Sequence, residues 1–139
     1  MTFFKLKPVT VIDFSTLQRP RSPNTYLVCS NDFSASTPDQ EAPIFPSPLK
    51  DLIRAWNTMI ANQPRTEEIY KQDDGLLRTF VQRTKLVRFP DVISVEFVSL
   101  TDRSSTLALY SQSQYGYNDF GANQRRAKAW LSDLTICLG

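Results

Sequence analysis

The stretch YSQSQYGYNDFGANQRR, residues 110–126, decides the fold because it joins a strand-like run to a helix-like one. Before it, STLALYSQS (105–113) has the composition of a strand. After it, Ala127, Trp130, Leu131 and Leu134 recur at helical spacing and predict a helix from about Asn123 to Thr135. Between the two, Gly116 and Gly121 give the backbone freedom to change direction sharply. Working backward, VISVEFVSL (92–100) turns Ile93, Val95 and Phe97 inward and meets the last strand across the polar turn Thr101 to Ser104. Earlier still, TEEIYKQ (66–72) faces LLRTFVQRTKLV (76–87) across Asp73, Asp74 and Gly75, a hairpin signal. Consecutive hairpins predict an antiparallel meander.

Upstream of the strands, Leu49, Leu52, Ile53, Trp56, Met59 and Ile60 form one apolar stripe. The spacing predicts an amphipathic helix of about 14 residues, with Ser47 as N-cap, Pro48 in the first turn and a stop near Asn62 before Pro64. Seven of the nine prolines fall at Pro8, Pro20, Pro23, Pro38, Pro43, Pro46 and Pro48. Residues 1–47 therefore read as an extended, irregular arm laid on a core built by 48–139, with Val9 to Phe14 as a candidate edge strand. The expectation is one domain over 1–139: an α+β fold with a four- to five-stranded antiparallel meander sheet, two amphipathic helices packed on one face, and a Pro-rich N-terminal third.

Composition narrows the chemistry. Sixteen basic residues against fourteen acidic ones leave a net charge of +2, too balanced for a dedicated nucleic-acid binder. With no histidine and two distant cysteines, Cys29 and Cys137, a metal set is not expected and no cofactor is implied; the thiols read as free, with a disulfide joining the N-terminal arm to the C-terminal tail as the alternative. No run approaches the ~18 apolar residues of a membrane-spanning helix. MTFFKLKPVTVIDFS at the start is broken by Lys5, Lys7 and Pro8, unlike an export signal, so the cytoplasm is the expected compartment.

Catalytic candidates are few. The usual neutral-pH base is missing, and Ser111 and Ser113 have no lysine close in sequence to activate them. Asp73 and Asp74 read as hairpin residues, Glu67 and Glu68 as solvated carboxylates on opposite strand faces. Glu96, within a β-branched strand, is expected to face solvent or to pair with Arg83 on the neighbouring strand. Cys29 has no activating neighbour in the sequence.

Three segments carry a family resemblance: RSPNTYLVCS (21–30), RFPDVISVEF (88–97) and SQSQYGYNDFGANQRR (111–126). Together they resemble the bacterial and plastid family known as domain of unknown function 1499, over about residues 20 to 135. The matching positions are Ser22, Pro23 and Asn24; Phe89, Pro90 and Asp91; Glu96 and Phe97; then Ser111, Ser113, Gly116, Asp119, Gly121, Asn123 and Arg126. Gln114, Asn118 and Thr25 depart from the family's usual arginine, serine and cysteine. The resemblance implies a fold and a candidate surface, and adds a plastid or the periphery of a photosynthetic membrane as an alternative setting, with a membrane-associated complex as partner.

Two readings fit the 111–126 loop. In one, Ser111, Ser113, Gly116, Asp119, Gly121, Asn123 and Arg126, with Asn24 beside them, contact a protein partner or a small anionic ligand at a helix N-terminus. In the other they are a corner: the glycines take positive φ, Asp119 accepts backbone N–H groups, Asn123 caps the helix, and Arg126 ties it to Asp119 or Asp91. The expected function is a non-catalytic binding or accessory module. The alternative is a small enzyme acting on a phosphorylated or carboxylated substrate, with Asp119 as acid or base and Arg126 as anion clamp.

Overall fold

Alternating side chains make four consecutive runs into four antiparallel strands, and a fifth and sixth strand come from the N-terminal arm. The computed structural model describes residues 4–139. Residues 1–3, the start of the arm and of the stretch compared with an export signal, lie outside the described residues. The elements are β1 (Thr25–Cys29), β2 (Gln40–Glu41), α1 (Leu49–Ala61), β3 (Thr66–Lys71), β4 (Leu77–Arg83), β5 (Pro90–Thr101), β6 (Ser104–Ser113) and α2 (Ala122–Leu138).

They form an α+β architecture with one mixed sheet of six strands in the order β2-β1-β6-β5-β4-β3. The β3–β6 meander is antiparallel throughout, whereas β2 runs parallel to β1. The expected four or five strands and the purely antiparallel description are thus corrected. TYLVC supplies a short strand that adds to β6, pairing Leu27 with Tyr110 and Val28 with Leu109. Val9 to Phe14 forms no strand; the chain there leads into a single 3-10 turn at Phe14–Thr16.

Both helices pack on one face. Trp56 of α1 sits within 5.9 Å of the Trp130 ring of α2 and 5.5–5.6 Å of Phe97 and Phe80 on the sheet. It is fully buried, so truncation to alanine would cost about 3–5 kcal/mol. The opposite face is covered by the arm: Phe14 and Leu17 pack with Leu27, Leu77, Ala108 and Tyr110.

Local chemistry departs from expectation at both helix starts. Ser47 does not cap α1: Pro48 occupies the cap position without a side-chain bond, and the Ser47 carbonyl accepts from Ser105 Oγ at 2.8 Å. The α2 cap position is held by Gly121 at φ 83°, not Asn123. The β3–β4 turn behaves as read, with Gly75 at φ 74° and Asp74 accepting from the Leu76 N–H. Glu68 is not simply solvated; both its oxygens take hydrogen bonds from Arg78, which also donates to Asn57.

Candidate functional site

The end of β6, the loop after it and the first turn of α2 enclose a polar network that draws on all three sequence motifs. Its hub is Asn123, fully buried. The Asn123 amide donates to the Asn24 carbonyl (2.9 Å), Ser113 Oγ (2.9 Å) and Asp119 Oδ2 (2.7 Å), while its Oδ1 accepts from Ser111 Oγ (2.6 Å) and Arg126 (2.8 Å). Asn24 in turn donates to the Gly116 carbonyl at 2.8 Å, clasping the N-terminal arm to the loop. The eight residues assigned to the loop site, Asn24, Ser111, Ser113, Gly116, Asp119, Gly121, Asn123 and Arg126, are therefore brought together at one corner, and most face one another rather than solvent.

Asp119 does the capping that sequence spacing assigned to Asn123. Its carboxylate accepts from the backbone N–H groups of Gly121 (2.8 Å) and Asn123 (3.1 Å), and its carbonyl accepts from Ala122 N–H. A carboxylate at this place satisfies donors that have no partner within the helix and complements the helix dipole. Gly116 and Gly121 both take positive φ, 86° and 83°, where a Cβ is strained.

Arg126 reaches back from α2 to the sheet. It donates to Asp91 Oδ2 at 2.6 Å and to Gln82 Oε1 at 2.6 Å, with side-chain exposures of 8% for Arg126 and 3% for Asp91. Burial pushes the Asp91 carboxyl above its ordinary value, more strongly than the guanidinium pulls it down. Such a pair sets geometry more than it adds stability. Gln82 was not foreseen as a member of this network; in LRTFVQR nothing sets it apart from the other polar residues Arg78, Thr79 and Arg83.

Other candidates sit elsewhere. Glu96 does not pair with Arg83: it is half-buried on the arm face, and burial, with Asp13 and Asp74 nearby, raises its pKa. Arg83 donates instead to the Phe4 and Arg88 carbonyls. Cys29 and Cys137 are free thiols, the first buried and the second exposed; burial pushes the Cys29 thiol up, away from the reactive thiolate. Among the described residues, no cluster of three or more His, Cys, Asp or Glu side chains could hold a metal ion, and no helix is long and apolar enough to cross a membrane.

Outside the network the loop presents apolar surface: Tyr117 is 70% exposed and Phe120 81% exposed. Phe120 also takes φ 51°, a left-handed backbone uncommon for anything but glycine.

Fold and corner together define a class: an α+β protein with a six-stranded mixed sheet, whose N-terminal arm is locked by Asn24 into the β6–α2 junction. The family described as protein of unknown function (DUF1499) matches residues 16–134, and the chain belongs to it. Two solved structures match part of the chain. An uncharacterised protein from Rhizobium leguminosarum is 13% identical with a TM-score of 0.43, over 70% of this chain and 93% of that one. A protein from Thermus thermophilus is 11% identical with a TM-score of 0.33, over 70% of this chain and 90% of that one. A search of curated proteins finds no match.

Proposed function

We propose that the chain is a non-catalytic binding module that contacts a protein partner through the outer rim of the β6–α2 corner, with Tyr117 and Phe120 as its anchors. The observation that carries this reading is Phe120. An aromatic side chain at 81% exposure and φ 51° has two unfavourable features at once, hydration of a large apolar surface and a left-handed backbone; the backbone belongs to the turn into α2, but the turn does not require an exposed aromatic ring. Aromatic residues on a rigid support are common anchors of protein interfaces.

The network beneath the rim supports binding over catalysis. The helix N-terminus that could have received a small anion already holds the protein's own carboxylate, Asp119. An enzymatic role would need Asp119 and Arg126 available to a substrate, yet Asp119 is engaged by N–H groups and Arg126 by Asp91 and Gln82. The setting, cytoplasm or the periphery of a membrane-associated complex, follows from where the partner is recovered.

The test is affinity capture from native membranes and from cytosol with the wild-type chain and with Phe120→Asn. Asparagine tolerates the left-handed region, so the variant should fold at least as well, with stability unchanged or raised by up to about 1 kcal/mol. Loss of a specific captured protein in the variant supports the rim as the contact; an identical captured set from both chains refutes it.

A further inference from the structure

A second surface at the same end of the sheet has different chemistry. Arg65, Arg83 and Arg88 line one open hollow of about 540 Å³ together with Thr66, Glu67 and Val81. Arg65 is anchored through Nε to the Arg83 carbonyl (2.9 Å), and Arg83 through Nη1 to the carbonyls of Phe4 and Arg88 (2.7 and 2.9 Å). None of the three forms an ion pair within 4.0 Å among the described residues. Main-chain oxygens thus hold the guanidinium groups of Arg65 and Arg83 in place, and three arginines share the hollow with one carboxylate, Glu67, that lies outside ion-pair distance. Arg65 and Arg88 both occupy left-handed backbone, φ 54° and 64°.

Beside the hollow, the β4–β5 loop closes on itself. Thr84 N–H donates to the Phe89 carbonyl, Arg88 N–H to the Thr84 carbonyl, and Phe89 N–H to Thr84 Oγ1. This fixed loop holds Lys85, Leu86 and Val87 at its tip, with Leu86 88% exposed and Val87 49%. Charge is unevenly distributed between the ends of the sheet. The two turns at the opposite end, 72–76 and 102–103, carry Asp73, Asp74 and Asp102 against Arg103. The near-neutral total of the sequence conceals this polarity.

We infer that this end of the molecule docks on an anionic phospholipid bilayer, with the guanidinium groups of Arg65, Arg83 and Arg88 taking headgroup phosphates and Leu86 and Val87 entering the headgroup–acyl boundary. Two features select a bilayer over other polyanions. Phosphate or carboxylate recognition explains the arginines but leaves an aliphatic loop tip with nothing to contact. A lipid surface satisfies both, since apolar side chains partition into it while basic neighbours are attracted to anionic headgroups. A nucleic-acid strand would instead favour aromatics free to stack on bases along a basic groove; the aromatics beside this hollow, Phe4, Phe89 and Tyr115, pack on one another, and the loop tip is aliphatic.

Flotation of the full chain with vesicles of phosphatidylcholine alone, and of phosphatidylcholine mixed with phosphatidylglycerol, tests this. Binding should appear only with the anionic vesicles and weaken as salt rises. Arg88→Gln should weaken it roughly fivefold, and Leu86→Ser about tenfold, whereas Arg103→Glu at the opposite end should leave it unchanged. Both loop residues are at the surface, and normal far-UV circular dichroism would confirm that the variants fold. Equal binding to both vesicle types, no binding to either, or insensitivity to Leu86→Ser and Arg88→Gln would overturn the inference. So would association with an oligonucleotide at salt where vesicles are ignored. Phe120→Asn should spare flotation; if it alone abolishes it, the lipid surface is the aromatic rim and the β4–β5 docking surface is wrong.

Discussion

The β6–α2 corner and the β3–β4 edge lie at the same end of one sheet, and both contain arginines beside residues with left-handed backbone. In the corner, Arg126 has acceptors at 2.6–3.2 Å on four side chains. At the edge, the Arg65 and Arg83 side chains donate to carbonyl oxygens, and among the described residues neither they nor Arg88 has a carboxylate within ion-pair distance. The difference teaches that a residue's type says little about its availability; the partner the fold supplies decides it. Polar residues that look most site-like in the sequence are spent on closing the molecule, and plain arginines in PRTEE and RTKLVRF keep their charge for something outside.

Removing a corner partner should therefore be expensive. Asp91→Ala leaves a guanidinium at 8% exposure without its carboxylate and should cost about 3–5 kcal/mol, read from a urea-denaturation midpoint. A loss below about 1 kcal/mol would mean that Arg126 escapes to solvent, erasing the contrast. Asn123→Ala should cost about 2–3 kcal/mol, more than a lost cap, because it strands the Ser111 hydroxyl and the Asn24 and Arg126 groups it serves. Gly121→Val places a branched side chain at φ 83°, with its Cβ 3.0 Å from Arg125, and should lose at least about 1–2 kcal/mol in the same measurement.

Glu96 sharpens the comparison as a half-buried carboxylate with no ion-pair partner among the described residues. Its folded-state pKa lies above the unfolded one, so the native chain binds more protons in that interval and stability falls as pH rises through it. Glu96→Gln should accordingly be slightly more stable than wild type at neutral pH. That advantage should shrink as pH falls through the folded-state pKa and vanish below the unfolded one; an advantage that grows on acidification would reverse the sign. At the β3–β4 edge, Arg88→Gln should change stability by no more than about 0.5 kcal/mol, because the side chain has no ion-pair partner among the described residues to lose.

The meander and α1 were legible because their signals are local. Alternation in VISVEFVSL, the Asp-Gly turn and the stripe from Leu49 to Ile60 each specify an element within a dozen or so residues. β1 was not, because TYLVC is short, follows Pro20 and Pro23, and gains its stability from β6, whose partner residues lie over eighty positions later. Val9 to Phe14 misled for the converse reason: its composition suits a strand, but the arm is used to cover the sheet, with Phe14 packed on Leu27 and Tyr110. At the corner, the set of polar residues and the glycine conformations could be read. Which oxygen caps α2, and that Gln82 joins Arg126, depend on three-dimensional neighbours.

The clasp between Asn24 and the pair Gly116–Asn123 spans 92 and 99 positions of chain. A ribosome working from the N-terminus must therefore extrude β1 long before the residues that secure it exist. Until synthesis passes Ser113, β1 has no complete β6 to pair with, and until it passes Arg126 the nascent sheet lacks its final lock, leaving strand edges open as templates for association with other chains. Chaperone demand for this protein should concentrate in that late interval of translation.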